Sequence, residues 1–184
     1  MMENSFFHEY FEAINKGVVS IDTKILLQAS EVIRTISHNS KKIILVGNGG
    51  SAAMASHVAV DLTKAARVRA INFNEADLIT CLANDYGYEN CVMEALKAYA
   101  DSGDLVILIS SSGKSPNMIN GALEAKKMGL EVVTLSGFDS SNPLRRLGNI
   151  NLWVDSAAYN VVEMTHHIWL LAIVDYVISM GEGS

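Results

Sequence analysis

Leu105-Val106-Ile107-Leu108-Ile109-Ser110-Ser111-Ser112-Gly113-Lys114-Ser115-Pro116 changes character half-way along, and that change decides the fold. Leu105 to Ile109 is a continuous apolar run with no wet face, as expected of a strand covered on both sides in a parallel sheet. The serines and the glycine that follow make a polar loop, and Pro116 suits the first turn of a helix, where its missing N–H costs nothing. A buried strand that passes through a loop into a helix is the repeating unit of open α/β sheets, whose ligands bind beyond the carboxyl ends of the strands. The serine loop is therefore the first place to look for function.

The same order recurs on either side. Ile43 to Val46, Val132 to Leu135 and the weaker Ile150 to Val154 are further strand-length apolar runs, and Val68 to Phe73 is another strand candidate. Helical segments lie between them, at Ser51 to Thr63, Tyr88 to Ala100 and Pro116 to Met128, with a short helix at Glu75 to Leu82. A long helix runs from Tyr159 to Met180 and closes near Gly181 and Gly183. Ahead of the first strand, apolar residues at helical spacing predict an antiparallel pair over about Asn4 to Val18 and Ile21 to His38. The expected fold is one α/β domain over residues 1–184. It is a three-layer αβα sandwich on a five-stranded parallel sheet, with the helical pair in residues 1–40.

Composition narrows the partners. In 184 residues, 49% of them apolar, there is material for one substantial core. Fourteen basic against twenty acidic residues give a formal charge of −6, so no broad basic surface draws nucleic acid or an anionic membrane, and any anion must be held locally. The two cysteines, Cys81 and Cys91, and an N-terminus without the order of a secretory signal predict a reducing cytoplasm. The apolar stretch Ile168 to Ile178 is interrupted by Asp175 and falls short of the roughly 20 residues of a membrane span, so it reads as a core or interface helix.

Two loops carry chemistry. Gly47-Asn48-Gly49-Gly50-Ser51 follows one strand and opens a helix; its glycines let backbone N–H groups approach an anion, and Ser51 is placed to cap the helix. Neither a Walker loop nor Gly-x-Gly-x-x-Gly fits it. In the second loop, Ser110, Ser111, Ser112 and Ser115 bring four hydroxyls to the positive end of a helix, a setting suited to phosphate. On the helix after the first loop, His57 and Asp61 are four residues apart and share a face, open to a substrate or a metal ion.

Taken in series, Gly-Asn-Gly-Gly-Ser-Ala-Ala at 47–53, Asn-Asp-Tyr-Gly-Tyr-Glu at 84–89 and Ser-Ser-Ser-Gly-Lys-Ser at 110–115 resemble the sugar isomerase (SIS) family. The likeness is greatest to its phosphoheptose isomerase branch and to the related replication-initiator-associating proteins. The resemblance implies a phosphosugar aldose–ketose isomerase, acting on sedoheptulose 7-phosphate or a relative used for surface polysaccharide. It also implies a homotetramer packed through helices. The alternative it implies is a non-catalytic sugar-phosphate sensor or protein-binding adaptor.

By the same resemblance Asn48, Gly49, Gly50, Ser51, Ser110, Ser111, Ser112 and Ser115 bind ligand, and Asp85 lies at the site. His57 and a family Glu, here Asp61, would hold zinc, with that carboxylate also the catalytic base. The C-terminal helix departs from the family pattern of Gln-Glu-x-His and a later His: Val161-Val162-Glu163-Met164-Thr165-His166-His167 is followed by Leu170 and Leu171 where the last His would fall. Glu163 remains a possible third zinc ligand in a site that looks incomplete, and Glu163, His166 and His167 remain acid–base candidates. The family's Leu-Thr-Gly-Arg reads Leu62-Thr63-Lys64-Ala65, without the sugar-binding Arg.

Overall fold

The computed structural model describes residues 2–181. Its elements run α1 (Met2–Val18), α2 (Thr23–His38), β1 (Ile43–Gly47), α3 (Gly50–Lys64), β2 (Ala70–Asn72) and α4 (Ala76–Tyr86). A short 3-10 turn (Tyr88–Asn90), α5 (Cys91–Tyr99), β3 (Leu105–Ser110), α6 (Pro116–Lys127), β4 (Glu131–Ser136), β5 (Ile150–Trp153) and α7 (Tyr159–Gly181) follow. All strand pairs are parallel, in the order β2-β1-β3-β4-β5. The strand order reverses between β1 and β3, so the loops after these two strands leave the sheet side by side at its switch point.

Period-two alternation sends neighbouring strand residues to opposite faces. Ile43, Leu45, Leu105, Ile107, Ile109, Val133 and Leu135 meet α2, α3 and α7 on one face, whereas Ile44, Val46, Val106, Leu108 and Val132 meet α5 and α6 on the other. At the amino ends, the Lys42 ammonium sits 2.6 Å from both Asp101 and Asp104, so a largely buried cation is paired.

Two helix boundaries differ from the expectation. The helix after Glu75 runs on to Tyr86 and carries Asn84-Asp85-Tyr86 in its last turn, ending where Gly87 takes φ 82°. The segment from Tyr88 starts as a 3-10 turn before α5. Gly183, expected near the end of the last helix, lies outside the described residues. Both N-terminal helices lie against α7, and Trp169 Nε1 donates to Val18 O at 2.9 Å to fix the turn between them. By length and composition α7 would suit a membrane, but half of its most apolar window is buried in the protein, including Val162, His166, Trp169, Leu170 and Ile173. It is the central helix of one layer.

Candidate active site

The serine loop is held open by its own hydrogen bonds. Gly113 N donates to Ser110 O at 2.9 Å, which closes a turn that puts Gly113 at φ 64°, a left-handed conformation favoured by glycine. Ser110 and Ser115 hydroxyls lie 3.0 Å apart across the mouth of the turn. Ser115 is the residue before α6, yet its hydroxyl makes no capping bond; Pro116 has no N–H and Met118 N already donates to Ser115 O at 3.1 Å, so the helix start offers a ligand the N–H of Asn117. Lys114 is exposed.

The first loop approaches from the neighbouring strand. Gly49, at φ 54°, precedes α3 and provides no side chain to cap it; Ser51, expected as a cap, instead sits buried inside the first turn. The loops are locked by a reciprocal amide pair. Asn48 Nδ2 donates to Asn117 Oδ1 at 3.0 Å and Asn117 Nδ2 donates to Asn48 Oδ1 at 2.9 Å, while the Tyr88 hydroxyl adds a third bond to Asn48 Oδ1 at 2.8 Å. Burial pushes the Tyr88 phenol above its usual pKa and so keeps it a donor. The result is a cavity of about 120 Å³ lined by Asn48, Ser51, Ile109, Ser110, Ser111, Ser112, Ser115, Tyr159 and Glu163. Serine hydroxyls, one amide, one phenol and one carboxylate supply its polar side chains.

Glu163 reaches this cavity from α7. Its Oε1 lies 3.5 Å from Ser111 Oγ, and its carboxylate sits over the Cα of Gly50, where a Cβ would displace it. Further along the same seam the helices meet again: His57 Nδ1 and His167 Nε2 are 2.9 Å apart, and His57 Nε2 is 3.2 Å from Asp61 Oδ2. The two contacts run in the same direction along both helices. Seven residues separate Gly50 from His57, roughly 10 Å of helix. His57, Asp61 and His167 therefore form a cluster further along the α3–α7 seam from the serine cavity, with His57 half exposed. Burial first, and His57 next, push the His167 pKa below its usual value, and Asp61 opposes them.

Some expected site residues are not brought together. Glu163 stands at the start of α3, about 16 Å of helix from Asp61, so it does not join His57 and Asp61 as a zinc ligand. The two ring nitrogens of His57 face different partners, and among the described residues no group of three His, Cys, Asp or Glu side chains is arranged to hold a metal. The donors as placed do not fit the zinc that the resemblance implies. His166 is fully buried, its Nε2 3.1 Å from Ser136 O, and burial lowers its pKa to about 4, so it is a core residue out of a ligand's reach. Asp85 accepts from Asn84 Nδ2 at 2.8 Å on the exposed end of α4, outside the cavity. The sequence reading missed Asn117, Tyr88 and Tyr159; Asn117, directly after Pro116 at the helix start, had the best claim to notice.

The SIS-domain profile matches residues 6–137, which include both loops and the strands that carry them. The chain belongs to the SIS-domain family. Among SIS-domain relatives, a phosphoheptose isomerase of Campylobacter concisus is 33% identical over 151 residues, covering 79% of each chain. The solved phosphoheptose isomerase of Neisseria gonorrhoeae superposes with a TM-score of 0.88 at 25% identity, covering 96% of this chain and 99% of that one. The NanR protein of Vibrio vulnificus, solved with ManNAc-6P, shares the SIS fold at 21% identity and a TM-score of 0.74, over 98% of this chain and 63% of its own.

Proposed function

We propose that this chain is an aldose–ketose isomerase for a phosphorylated sugar, sedoheptulose 7-phosphate or a close relative, in a cytoplasmic route to surface polysaccharide. The observation that carries the reading is the serine cavity, an anion cradle, with the carboxylate and imidazole groups of Asp61, His57 and His167 clustered further along the α3–α7 seam. Phosphoheptose isomerase relatives support the substrate class. Two unpaired cysteines, Cys81 and Cys91, support a reducing compartment.

Isomerisation moves a proton between C1 and C2 of the open-chain sugar and needs a base and an acid beside those carbons. With the phosphate in the serine loop, C2 of a seven-carbon chain is seven bonds away, about 9 Å when extended. That distance matches the roughly 10 Å between the Glu163 contact and His57. An extended sugar thus brings C2 to His57; Asp61, a turn further along α3 with Oδ2 3.2 Å from His57 Nε2, is assigned the C1–C2 proton, and His57 and His167 exchange protons with the sugar oxygens. Glu163, near the phosphate end, is placed to accept hydrogen bonds from sugar hydroxyls.

A homotetramer is part of this proposal. Phe6, Phe7 and Phe11 on α1 are each about 60% exposed, and such apolar surface is the material of an obligate interface. Light scattering at micromolar concentration gives the tetramer mass; a monomer there removes this part.

The test of function is incubation with sedoheptulose 7-phosphate and product analysis by NMR, for wild type and Asp61→Asn. Wild type forms the aldoheptose phosphate, and Asp61→Asn loses about 10²–10⁴-fold in kcat while keeping sugar-phosphate affinity. If wild type binds the phosphosugars but converts none, the sensor or adaptor reading replaces this one.

A further inference from the structure

Asn142 lies in the connection between β4 and β5, a stretch rich in polar residues, and yet it is completely buried. Its carboxamide is fully engaged. Nδ2 donates to Ser136 Oγ at 3.0 Å and to Asp139 O at 2.8 Å, with Gly137 O at 3.3 Å, and Oδ1 accepts from Arg145 N at 2.9 Å. Such a network makes the connection rigid, because every lost bond would leave a buried polar group unpaired.

The same carboxamide packs closely against Gly113. A Cβ at Gly113 would overlap both Oδ1 and Cγ of Asn142, so the two residues touch at the Cα of the one left-handed position in the serine loop. Backbone bonds continue this contact: Leu144 N donates to Gly113 O at 3.1 Å, and Gly137 N donates to Ser111 O at 2.8 Å. Two carbonyls of the serine loop are thus held by the segment that Asn142 makes rigid.

We infer that Asn142 is a positioning residue for the bound anion, which fixes Gly113 in its turn and through it the directions of the Ser112 and Ser115 hydroxyls. This rests on the reading of the serine loop as a phosphate cradle. A loop ordered before binding spares the ligand the entropy of ordering it, so the contribution of Asn142 appears in affinity for phosphate and not in the proton transfers at the His57 and Asp61 cluster. The contact also explains a glycine at 113 beyond its φ, since no side chain fits beneath the carboxamide.

The test uses the full chain with inorganic phosphate and sedoheptulose 7-phosphate as probes. Asn142→Ser keeps a donor for the connection but withdraws the carboxamide from Gly113; Asn142→Ala removes both. Each is expected to weaken phosphate and sugar phosphate alike by tenfold or more in calorimetry, and to raise KM with kcat within about threefold of wild type. Gly113→Ala alone is expected to bind phosphate worst, and Gly113→Ala combined with Asn142→Ala to recover part of that loss, because the methyl enters the space the carboxamide leaves. Additive losses in the double variant, or variants that melt earlier yet bind phosphate like wild type, overturn the inference alone. A wild-type protein that binds neither probe overturns the phosphate reading with it.

Discussion

A histidine shut away from water stays neutral well below the pH at which free histidine titrates, and His166 is such a residue, with Nδ1 buried without a partner. Above about pH 6.5, the unfolded value, the residue is neutral in both states and stability is undiminished. As pH falls from there towards about 4, the unfolded chain takes up a proton that the folded chain refuses, so stability is lost across that window. The full loss is roughly 3 kcal/mol at 1.36 kcal/mol per unit. His166→Gln can still donate to Ser136 O and has no such proton, so its stability relative to wild type should improve as pH drops from 7 to 4 in urea melts. A constant difference across that range would show that His166 is not the titrating group. The pair His166-His167 also marks a limit of the sequence. Adjacent helical residues point about 100° apart, so one had to face the core, but α7 is apolar nearly all round and gives no polar face to say which.

At the scale of elements, β3, the serine loop and α6 could be read directly because every signal is local: five apolar residues, four serines, then Pro116 at the helix start. The same locality gives a prediction. Ser112→Ala and Ser115→Ala should each weaken sugar-phosphate binding by about 1–3 kcal/mol, the range for hydrogen bonds to a charged group. Ser115→Ala also removes the partner 3.0 Å from the buried Ser110 hydroxyl, so its thermal melt should drop by a few degrees as affinity falls. Unchanged affinity in calorimetry would separate the loop from the phosphate. What could not be read were contacts between elements far apart in the chain. Asn48 and Asn117 are 69 residues apart, and His57 and His167 are 110 apart. No spacing rule pairs them, since they meet only after the sheet order brings β1 beside β3 and lays α7 along α3. Glu163 was misplaced for the same reason: its carboxylate lies over Gly50 at the start of α3, a contact that appears only when α3 and α7 are seen together.

Across the whole molecule, the switch point fixes where the phosphate enters and α3 fixes how far the proposed chemistry lies from it, so the spacing along α3 acts as a ruler for chain length. From phosphorus to C2 there are seven bonds in sedoheptulose 7-phosphate and five in ribulose 5-phosphate, a shortfall of about 2.5 Å in the extended chain. Helices packed on a sheet do not yield by that amount, and catalytic groups act within about 0.5 Å of their proper geometry. A misplacement of 1 Å can cost about 10²-fold in rate. The five-carbon ketose phosphate should therefore show kcat/KM at least 10²-fold below the seven-carbon one. Its affinity, measured by calorimetry, should stay within a few-fold, because the serine loop sees the same phosphate in both. The loss should accordingly lie in kcat rather than KM. Steady-state rates on the two substrates decide the matter: equal kcat/KM would mean that the reacting carbons lie close to the phosphate. In that event Glu163, the carboxylate already in the serine cavity, would take over the role assigned to Asp61.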